Sequence, residues 1–355
     1  MRGLILAGGF GTRLRPLTYT GAKQLIPIAN KPIIFYGIEA LVETGIKEIG
    51  IVVGDTAQEV EDTVGNGERW GVNITYIPQE APLGLAHAIK ISKDFLGNEP
   101  FIMYLGDNLL KHGVGELIRL FQKNKPNALI LLTEVSNPQE FGVAIIDDKG
   151  VVKKLIEKPK EPPSNFALVG IYLFDKEIFR AVEHIKPSWR DELEITDAIQ
   201  WLLDNNFKVE SQIVKGWWKD TGKPDDIIEA NLLILEDIKA FNKGTLIDST
   251  INGRVKIEEG AIIEKSIIRG PVIIGKNAKI VHAYIGPFSS IGDNVVIQNS
   301  EIECSVIMEG AKIKNLEKRI DRSIVGKNVV INQTDHSPRT YKFILGDQSY
   351  VEIIK

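Results

Sequence analysis

The feature that most restricts the fold of this 355-residue chain is a repeat of isoleucines, starting after about residue 245, with a step near six. Ten successive steps span 56 residues, a mean of 5.6, whereas an α-helix repeats about every 3.6 residues and a strand about every second residue. Hexapeptide repeats are typical of a left-handed parallel β-helix, in which each side of a triangular coil points one aliphatic residue inward. A sandwich of short strands would explain the accompanying glycines but not the step. The repeated positions are Ile257, Ile263, Ile268, Ile274, Ile280, Ile285, Ile291, Ile297, Ile302, Ile307 and Ile313.

Before residue 240 the pattern is different, because short apolar runs alternate with runs of helical periodicity. This alternation predicts an α/β, Rossmann-like domain with a parallel or mixed sheet and helices on both faces. Ligands of such sheets bind beyond the carboxyl ends of the strands. Further apolar runs within 143–213 predict strands of an added sheet. A last helix is predicted over 225–241. We therefore expect an α/β domain over 1–240, a β-helix domain over 245–335 and a C-terminal tail over 336–355.

Composition excludes several classes of function. The formal net charge of -4 argues against a general nucleic-acid binder, whose surface would be basic. Cys304 is the only cysteine, so no internal disulfide can form and a reducing compartment fits. No two of the five histidines stand at metal-ligand spacing, which disfavours a zinc site. The N-terminal apolar run is too short for a signal peptide or a membrane span, so we expect a cytoplasmic protein without a membrane partner.

A glycine-rich loop follows the first predicted strand. Gly8, Gly9 and Gly11 have no side chains, so backbone N–H groups in this loop can approach a ligand closely. Arg13 carries donors suited to phosphate oxygens, and Lys23, ten residues further on, adds another cation. The loop is neither a Walker A motif nor a dinucleotide fingerprint, because the residues that complete those motifs do not follow it. An ordinary strand-to-helix turn would also use glycines, but the cations beyond it favour a nucleoside triphosphate.

Carboxylates in three later segments extend this prediction. Asp107 follows a predicted buried strand, where a magnesium ligand would lie, although its neighbours also favour a turn. Asp220 lies between aromatic residues and a glycine, and helix capping is its alternative role. Glu157 and Lys158 end another predicted strand and can serve one site only if the chain bends there. Together these residues describe metal-assisted phosphoryl or nucleotidyl transfer, in which the attacking oxygen belongs to a second substrate.

In their order along the chain, these segments resemble the sugar-1-phosphate nucleotidylyltransferases. The resemblance implies a Mg²⁺-dependent in-line attack of a sugar 1-phosphate on the α-phosphorus of a nucleoside triphosphate. It implies dTTP and glucose 1-phosphate as substrates, and pyrophosphate and dTDP-glucose, used in deoxysugar biosynthesis, as products. The segments that carry the resemblance are Leu6–Leu14, Lys23–Pro27, Lys31–Ile34, Gln79–Ala86, Leu105–Asn108, Phe141–Val143, Glu157–Pro159, Glu192–Asp197, Trp218–Gly222 and Leu345–Ser349.

The resemblance also implies roles for individual residues. Arg13 and Lys23 would be catalytic, holding the triphosphate and the charge that develops on its α-phosphate. Asp107 and Asp220 would bind Mg²⁺. An amide such as Gln79 can offer a donor and an acceptor to thymine or uracil. The nucleotide would contact Leu6, Gly8, Gly9, Gly11, Gln79, Pro82 and Gly84, and the sugar phosphate would contact Gly142, Glu157, Lys158, Val169 and Arg190.

Several alternatives remain at this point. Thymine and uracil differ by one methyl group, so a UTP-using or broad-specificity enzyme is the nearest alternative. A purine-using relative is disfavoured, because Gln79 and the turn after Pro82 look pyrimidine-type. A catalytically silent regulatory or assembly subunit would have lost a cation or a metal ligand, and none is missing. An acyltransferase site on the β-helix would need a partner for His282, and the sequence shows none. We also expect a homo-oligomer of unspecified size.

Overall fold

The computed structural model describes residues 1–148, 150–334 and 341–353. Of the predicted tail over 336–355, the described part contains a turn but no helix or strand, and the rest lies outside the described residues. Within the described residues, no helix is both long enough and apolar enough to cross a membrane.

Contacts divide the chain into two compact units. The first unit consists of Met1–Phe10, Gly21–Leu25 and Ile33–Asp220, and the second of Gly11–Thr20, Ile26–Pro32 and the chain from Thr221 onward. Each unit therefore collects segments that are distant in sequence. The predicted domain ranges of 1–240, 245–335 and 336–355 stay a prediction.

A mixed nine-stranded sheet forms the centre of the first unit. Up to residue 220 the strands of the chain are β1 (Arg2–Ala7), β2 (Pro27–Ile28), β3 (Lys31–Pro32), β4 (Glu48–Val53), β5 (Asn73–Pro78), β6 (Phe101–Leu105), β7 (Asn108–Leu110), β8 (Ala128–Glu134), β9 (Gly142–Ile146), β10 (Val152–Glu157), β11 (Phe166–Phe174), β12 (Val209–Ile213) and β13 (Trp218–Asp220). The order in the sheet is β10-β9-β11-β6-β1-β4-β5, with β8 on β11 and β12 on β8. β1, β4, β5 and β6 are parallel, so their carboxyl ends share one edge of the sheet.

Helices cover both faces of this sheet, as the alternating pattern predicts. The helices of the first unit are α1 (Ile33–Val42), α2 (Ala57–Val64), α3 (Leu85–Ile91), α4 (Lys93–Leu96), α5 (Gly115–Asn124), α6 (Glu177–His184) and α7 (Ile195–Asp204), whereas α8 (Pro224–Glu236) belongs to the second unit. Alternate residues of β1 face two separate cores, because successive side chains of a strand point to opposite faces. Leu4 and Leu6 share a core with α3, α6 and α7, whereas Ile5 and Ala7 share one with α1, α2 and α5.

The prediction of a separate added sheet within 143–213 is wrong. β9, β10, β11 and β12 belong to the nine-stranded sheet, where β11 pairs antiparallel with both β6 and β8. Eight of the nine residues of β11 are buried. A strand buried on both faces lies inside a sheet, and its partners depend on pairing that a local apolar run does not record.

The second unit contains three parallel sheets that wind into a β-helix. Its strands after α8 are β14 (Phe241–Asn242), β15 (Thr245–Ile247), β16 (Thr250–Asn252), β17 (Val255–Ile257), β18 (Ile262–Glu264), β19 (Ile267–Arg269), β20 (Val272–Ile274), β21 (Lys279–Val281), β22 (Tyr284–Ile285), β23 (Ser289–Ile291), β24 (Val296–Gln298), β25 (Glu301–Glu303), β26 (Val306–Ile307), β27 (Lys312–Lys314), β28 (Ile320–Asp321), β29 (Ile324–Val325) and β30 (Val330–Asn332). Each strand pairs with the third strand after it, so three successive strands complete one coil.

The isoleucine repeat forms the core of these coils. Ile263, Ile280, Ile297 and Ile313 stack in register, so one coil takes 16 or 17 residues, three steps of the repeat. All eleven repeated isoleucines are at most 1% exposed. The predicted hexapeptide solenoid is confirmed, and the stack of parallel strands is consistent with a left-handed β-helix.

The end of the last helix differs from the predicted position, and the structure shows where His282 lies. The last helix ends at Glu236 rather than 241, because Phe241 pairs with Lys256 in the first coil and its ring receives the ammonium groups of Lys243 and Lys256. His282 lies at a corner with a φ of 49° and lines a surface cleft with Tyr284.

Candidate active site

The glycine loop lies at the edge of the sheet where the parallel strands end. A Cβ atom on Gly8 would stand 3.1 Å from Oε1 of Gln79, which follows β5. A Cβ atom on Gly9 would stand 3.3 Å from Cε of Lys23. The missing side chains therefore let an amide and an ammonium group lie directly against the backbone of the loop.

Lys23 and Asp107 form an ion pair within this site. Lys23 lies in a short 3-10 helix, Lys23–Leu25, and its Nζ donates to Oδ2 of Asp107, the second residue after β6. Asp107 is 7% exposed. Burial alone would raise the pKa of its carboxyl, but the charge and hydrogen bond of Lys23, with a hydrogen bond from Asn108, hold that pKa below its usual range. The carboxylate is therefore ionised and carries a cation partner.

A two-stranded ladder places Asp220 opposite the residue that follows Asp107. β13 pairs antiparallel with β7, and Asp220 stands opposite Asn108 in that register. Asn108 supports the arrangement: its Nδ2 donates to Asp107 at 3.1 Å, and its Oδ1 accepts from Nε1 of Trp218 at 2.6 Å and from the N–H of Gly170 at 3.3 Å. Carboxylate oxygens are the ligands that Mg²⁺ prefers, so this pair of aspartates fits a divalent cation. Within the described residues, no cluster of three or more histidine, cysteine, aspartate or glutamate side chains could hold a metal.

A second group of residues surrounds Gln79. Its Nε2 donates to the carbonyl oxygen of Gly84 at 3.4 Å and lies 3.0 Å from Nδ1 of His87 on α3. Burial, with the nearby charge of Lys90, lowers the pKa of His87, so Nδ1 of the neutral ring can accept this bond. Gly84 has a φ of 102° and presses against the backbone of Leu193, which leaves no room for a side chain. The amide of Gln79 is thus held with Oε1 towards Gly8.

A third group of residues lies around Glu157 at the end of β10. Thr196 Oγ1 donates to Oε2 of Glu157 at 3.0 Å, and a Cβ atom on Gly142 would stand 3.0 Å from that oxygen. Arg190 lies 3.7 Å from Glu157, 2.6 Å from Glu192 and 3.3 Å from Glu194. The predicted sugar side of the site therefore contains one arginine shared by three carboxylates.

The electrostatics of Glu157 differ from those of Asp107. Burial, with the negative charge of Glu194, raises the pKa of the Glu157 carboxyl, although Lys158, Thr196 and Arg190 act in the opposite direction. Lys158 has a φ of 39° and donates its N–H to the carbonyl oxygen of Phe141, so the chain does bend after Glu157. A raised pKa means that the ionised carboxylate is more basic than usual. Glu157 is therefore a strong hydrogen-bond acceptor for a hydroxyl group.

The other predicted residues lie in several places. Leu6 and Val169 are buried in the first unit, and Pro82 is exposed there. Gly11 and Arg13 belong to the second unit, where Arg13 is exposed on a 3-10 helix, Thr12–Leu14.

Five side chains of the first unit were given no role in the sequence analysis. Asn108 and Thr196 directly contact predicted site residues, and Glu194 and His87 act on the charge or orientation of others. Gln24 is 1% exposed, and its Oε1 has no hydrogen-bond partner within the described residues. Asn108, Glu194, Thr196 and Gln24 stand within the segments that carry the family resemblance, and this position was the signal that could have identified them.

A nucleotidyl transferase family model matches residues 2–237, so the chain belongs to the nucleotidyl transferase family. The predicted assignment to an enzyme class, the sugar-1-phosphate nucleotidylyltransferases, is confirmed. A glucose-1-phosphate thymidylyltransferase of Streptomyces antibioticus is 50% identical over 355 residues, which cover 99% of both chains.

Solved structures agree with this assignment. A Bacillus anthracis protein assigned as a glucose-1-phosphate thymidylyltransferase, in complex with sucrose, has 37% identity and a TM-score of 0.63, covering 68% of this chain and 98% of its own. A UDP-glucose pyrophosphorylase in complex with UDP-glucose has 28% identity and a TM-score of 0.61, covering 67% of this chain and 99% of its own. Similar folds therefore occur in proteins named for thymine and for uracil nucleotides.

Proposed function

We propose that this chain transfers the thymidylyl group of dTTP to glucose 1-phosphate, giving dTDP-glucose and pyrophosphate. The observation that carries the proposal is the Lys23–Asp107 ion pair with Asp220 on the adjoining ladder, at the edge where the glycine loop begins. The choice of substrates is supported by the similarity to the Streptomyces antibioticus enzyme along nearly the whole chain.

In this proposal Asp107 and Asp220 would hold Mg²⁺, an ion that prefers oxygen ligands. When bound there, it would neutralise charge on the triphosphate. Gly9 and Gly11 offer backbone N–H groups to the phosphates, and Arg13 binds them. Lys23 stabilises the negative charge that grows on the α-phosphate while the sugar phosphate oxygen forms its bond to phosphorus and the bond to pyrophosphate breaks.

The base would be recognised by Gln79 together with Leu6, Gly8, Pro82 and Gly84. Since Nε2 of Gln79 is occupied by Gly84 and His87, Oε1 remains as an acceptor. The imide N–H of thymine or uracil supplies a matching donor. The amide contact therefore fits an imide N–H and does not distinguish thymine from uracil.

The sugar phosphate would lie against the third group of residues, the one around Glu157. Glu157 accepts from sugar hydroxyls, and the missing side chain of Gly142 and the backbone of Val169 leave room beside it. Lys158 and Arg190 supply positive charge for the phosphate. Assembly as a homo-oligomer and a cytoplasmic location remain predictions of the sequence.

The proposal is tested by measuring pyrophosphate release with five nucleoside triphosphates, each paired with several sugar 1-phosphates. We expect the highest kcat/KM for dTTP with glucose 1-phosphate. UTP should follow within about tenfold, because burying one methyl group contributes about 0.8 kcal/mol. Purine triphosphates should be at least about a hundredfold poorer. A preference for ATP or GTP would contradict the assignment of Gln79, and no turnover with any pair would contradict the proposed activity.

Replacing Glu157 with glutamine should lower kcat/KM for glucose 1-phosphate by about ten- to a hundredfold, because a hydrogen bond to a charged acceptor contributes about 1.5–3 kcal/mol. The same change should raise the free energy of unfolding at neutral pH. A carboxyl whose pKa is raised in the folded state destabilises that state as pH increases from its ordinary pKa towards the raised value. Melting temperatures measured from acid to neutral pH should show the advantage of Glu157→Gln growing with pH.

Glu183→Gln is the matched control, since Glu183 is exposed and its pKa is lowered by a hydrogen bond from Lys93. It should leave kcat/KM nearly unchanged and show no stabilisation at neutral pH. A Glu157→Gln protein that is less stable than the parent at every pH would contradict the electrostatic account of this site.

A further inference from the structure

A buried asparagine of the second unit joins three segments of the chain. Asn231 lies on α8 and is 1% exposed. Its Oδ1 accepts from the N–H of Ala29 at 2.9 Å and from the hydroxyl of Ser290 at 2.6 Å, and its Nδ2 donates to the carbonyl oxygen of Phe288 at 3.0 Å. Both ends of one amide are therefore engaged, and truncating it would leave buried partners without hydrogen bonds.

These contacts clamp the turn between β2 and β3 onto a coil of the β-helix. Ala29 and Asn30 form that turn with φ values of 47° and 61°. Asn30 Nδ2 donates to the carbonyl oxygen of Ile291 at 2.6 Å, on the same strand as Ser290. Ala29 also packs in a small apolar cluster with Leu235 of α8 and Ile273 of the β-helix. The turn is thus held by both polar and apolar contacts within the second unit.

The clamped hairpin follows the Lys23 segment directly. The 3-10 helix that carries Lys23 ends at Leu25, and β2 begins at Pro27, so only Ile26 separates them. The chain leaves the first unit after Leu25. Because consecutive Cα atoms stay about 3.8 Å apart, a shift of the hairpin is passed along the backbone to the Lys23 segment.

We propose that Asn231 is a positioning residue for nucleotidyl transfer, which acts by holding the β2–β3 hairpin and, through it, the backbone that carries Lys23. This inference rests on the catalytic role proposed for Lys23. It gives the β-helix a part in the reaction, because Ser290, Phe288 and Ile291 supply the surface on which the hairpin is held. A displacement of about 1 Å in a reacting group can cost about a hundredfold in rate.

The test compares steady-state kinetics of the full chain for Asn231→Ala, Lys23→Ala and the double variant. We expect Asn231→Ala to lower kcat about tenfold or more, with KM for both substrates within about threefold of the parent, because Lys23 acts on the transition state. In the Lys23→Ala background the same change should have almost no further effect, because the group it positions is gone. Ser290→Ala, which removes one of the three hydrogen bonds, should give a smaller loss in the same direction.

Ser266→Ala is the matched control, since Ser266 is a 3% exposed serine of the β-helix whose hydroxyl donates to the carbonyl oxygen of Glu264 and accepts from the N–H of Ala283. It should lower the melting temperature about as much as Ser290→Ala without lowering kcat. Equal kcat losses in the two serine variants, or additive losses in the double variant, would overturn the positioning role. Normal kcat in Asn231→Ala with an inactive Lys23→Ala would reject this inference alone, whereas normal kcat in Lys23→Ala would reject the proposed function as well.

Discussion

Replacing Lys23 with alanine is expected to lower kcat by about a hundred- to a thousandfold, while KM for glucose 1-phosphate changes much less. Removing one preorganised positive donor from a site of developing charge typically has this effect on kcat. The variant also removes the charge that holds the pKa of buried Asp107 low, so this proposed metal ligand becomes easier to protonate. Initial rates of pyrophosphate release over a range of both substrates separate kcat from KM.

Lys93→Ala is a suitable control for this experiment. Lys93 also forms an ion pair with a carboxylate, Glu183 at 2.9 Å, but both side chains are more than half exposed. Exposed pairs contribute little, so kcat should stay within about twofold of the parent. If Lys23→Ala raised KM and left kcat unchanged, Lys23 would bind the substrate and the transition state equally, and its catalytic role would be wrong.

Asp107→Asn should reduce magnesium-dependent turnover by at least about a thousandfold. The amide keeps the size of the carboxylate but lacks its charge, and Mg²⁺ depends on carboxylate oxygens. The change also leaves the ammonium of Lys23, which is largely buried, without the carboxylate it contacts. Turnover measured against Mg²⁺ concentration should show that high metal does not restore the parent rate.

Asp175→Asn provides the comparison for Asp107→Asn. Asp175 also follows a buried strand, β11, but that strand is antiparallel to β6 and therefore ends at the opposite edge of the sheet. Turnover and Mg²⁺ dependence should be unchanged in Asp175→Asn. Near-normal turnover in Asp107→Asn would remove Asp107 from the proposed metal site.

Periodicity explains why much of the fold could be predicted from the sequence. The isoleucines of the β-helix bury against the next coil at a fixed spacing, so their repeat is visible locally. The alternation of apolar and helical runs before residue 240 is equally local, and it predicted the helices on both faces of the mixed sheet. In contrast, the predicted separate sheet for β9 to β12 is wrong, since these strands belong to the nine-stranded sheet. The sequence of a strand shows which residues are apolar but not which strand lies beside it.

The candidate site also combines features that local motifs predict with contacts that they do not. Family motifs predicted Lys23, Asp107 and Asp220 as members of one site, and the structure places all three in the first unit. The motifs did not predict that Thr196 donates to Glu157, or that Arg190 is shared by three carboxylates. Such contacts depend on side-chain directions at distant positions and leave no regular spacing in the chain.

The two kinds of architecture, the glycine loop and the family of this protein could all be predicted from the residues alone, because each is recorded in local spacing or in an ordered set of motifs. The contact of Lys23 with Asp107, 84 residues away, and that of Asn231 with Ala29, 202 residues away, emerge only in the folded chain. Both contacts are hydrogen bonds between buried or partly buried groups. Their partners are chosen by the packing of whole elements, which no local pattern of residues specifies.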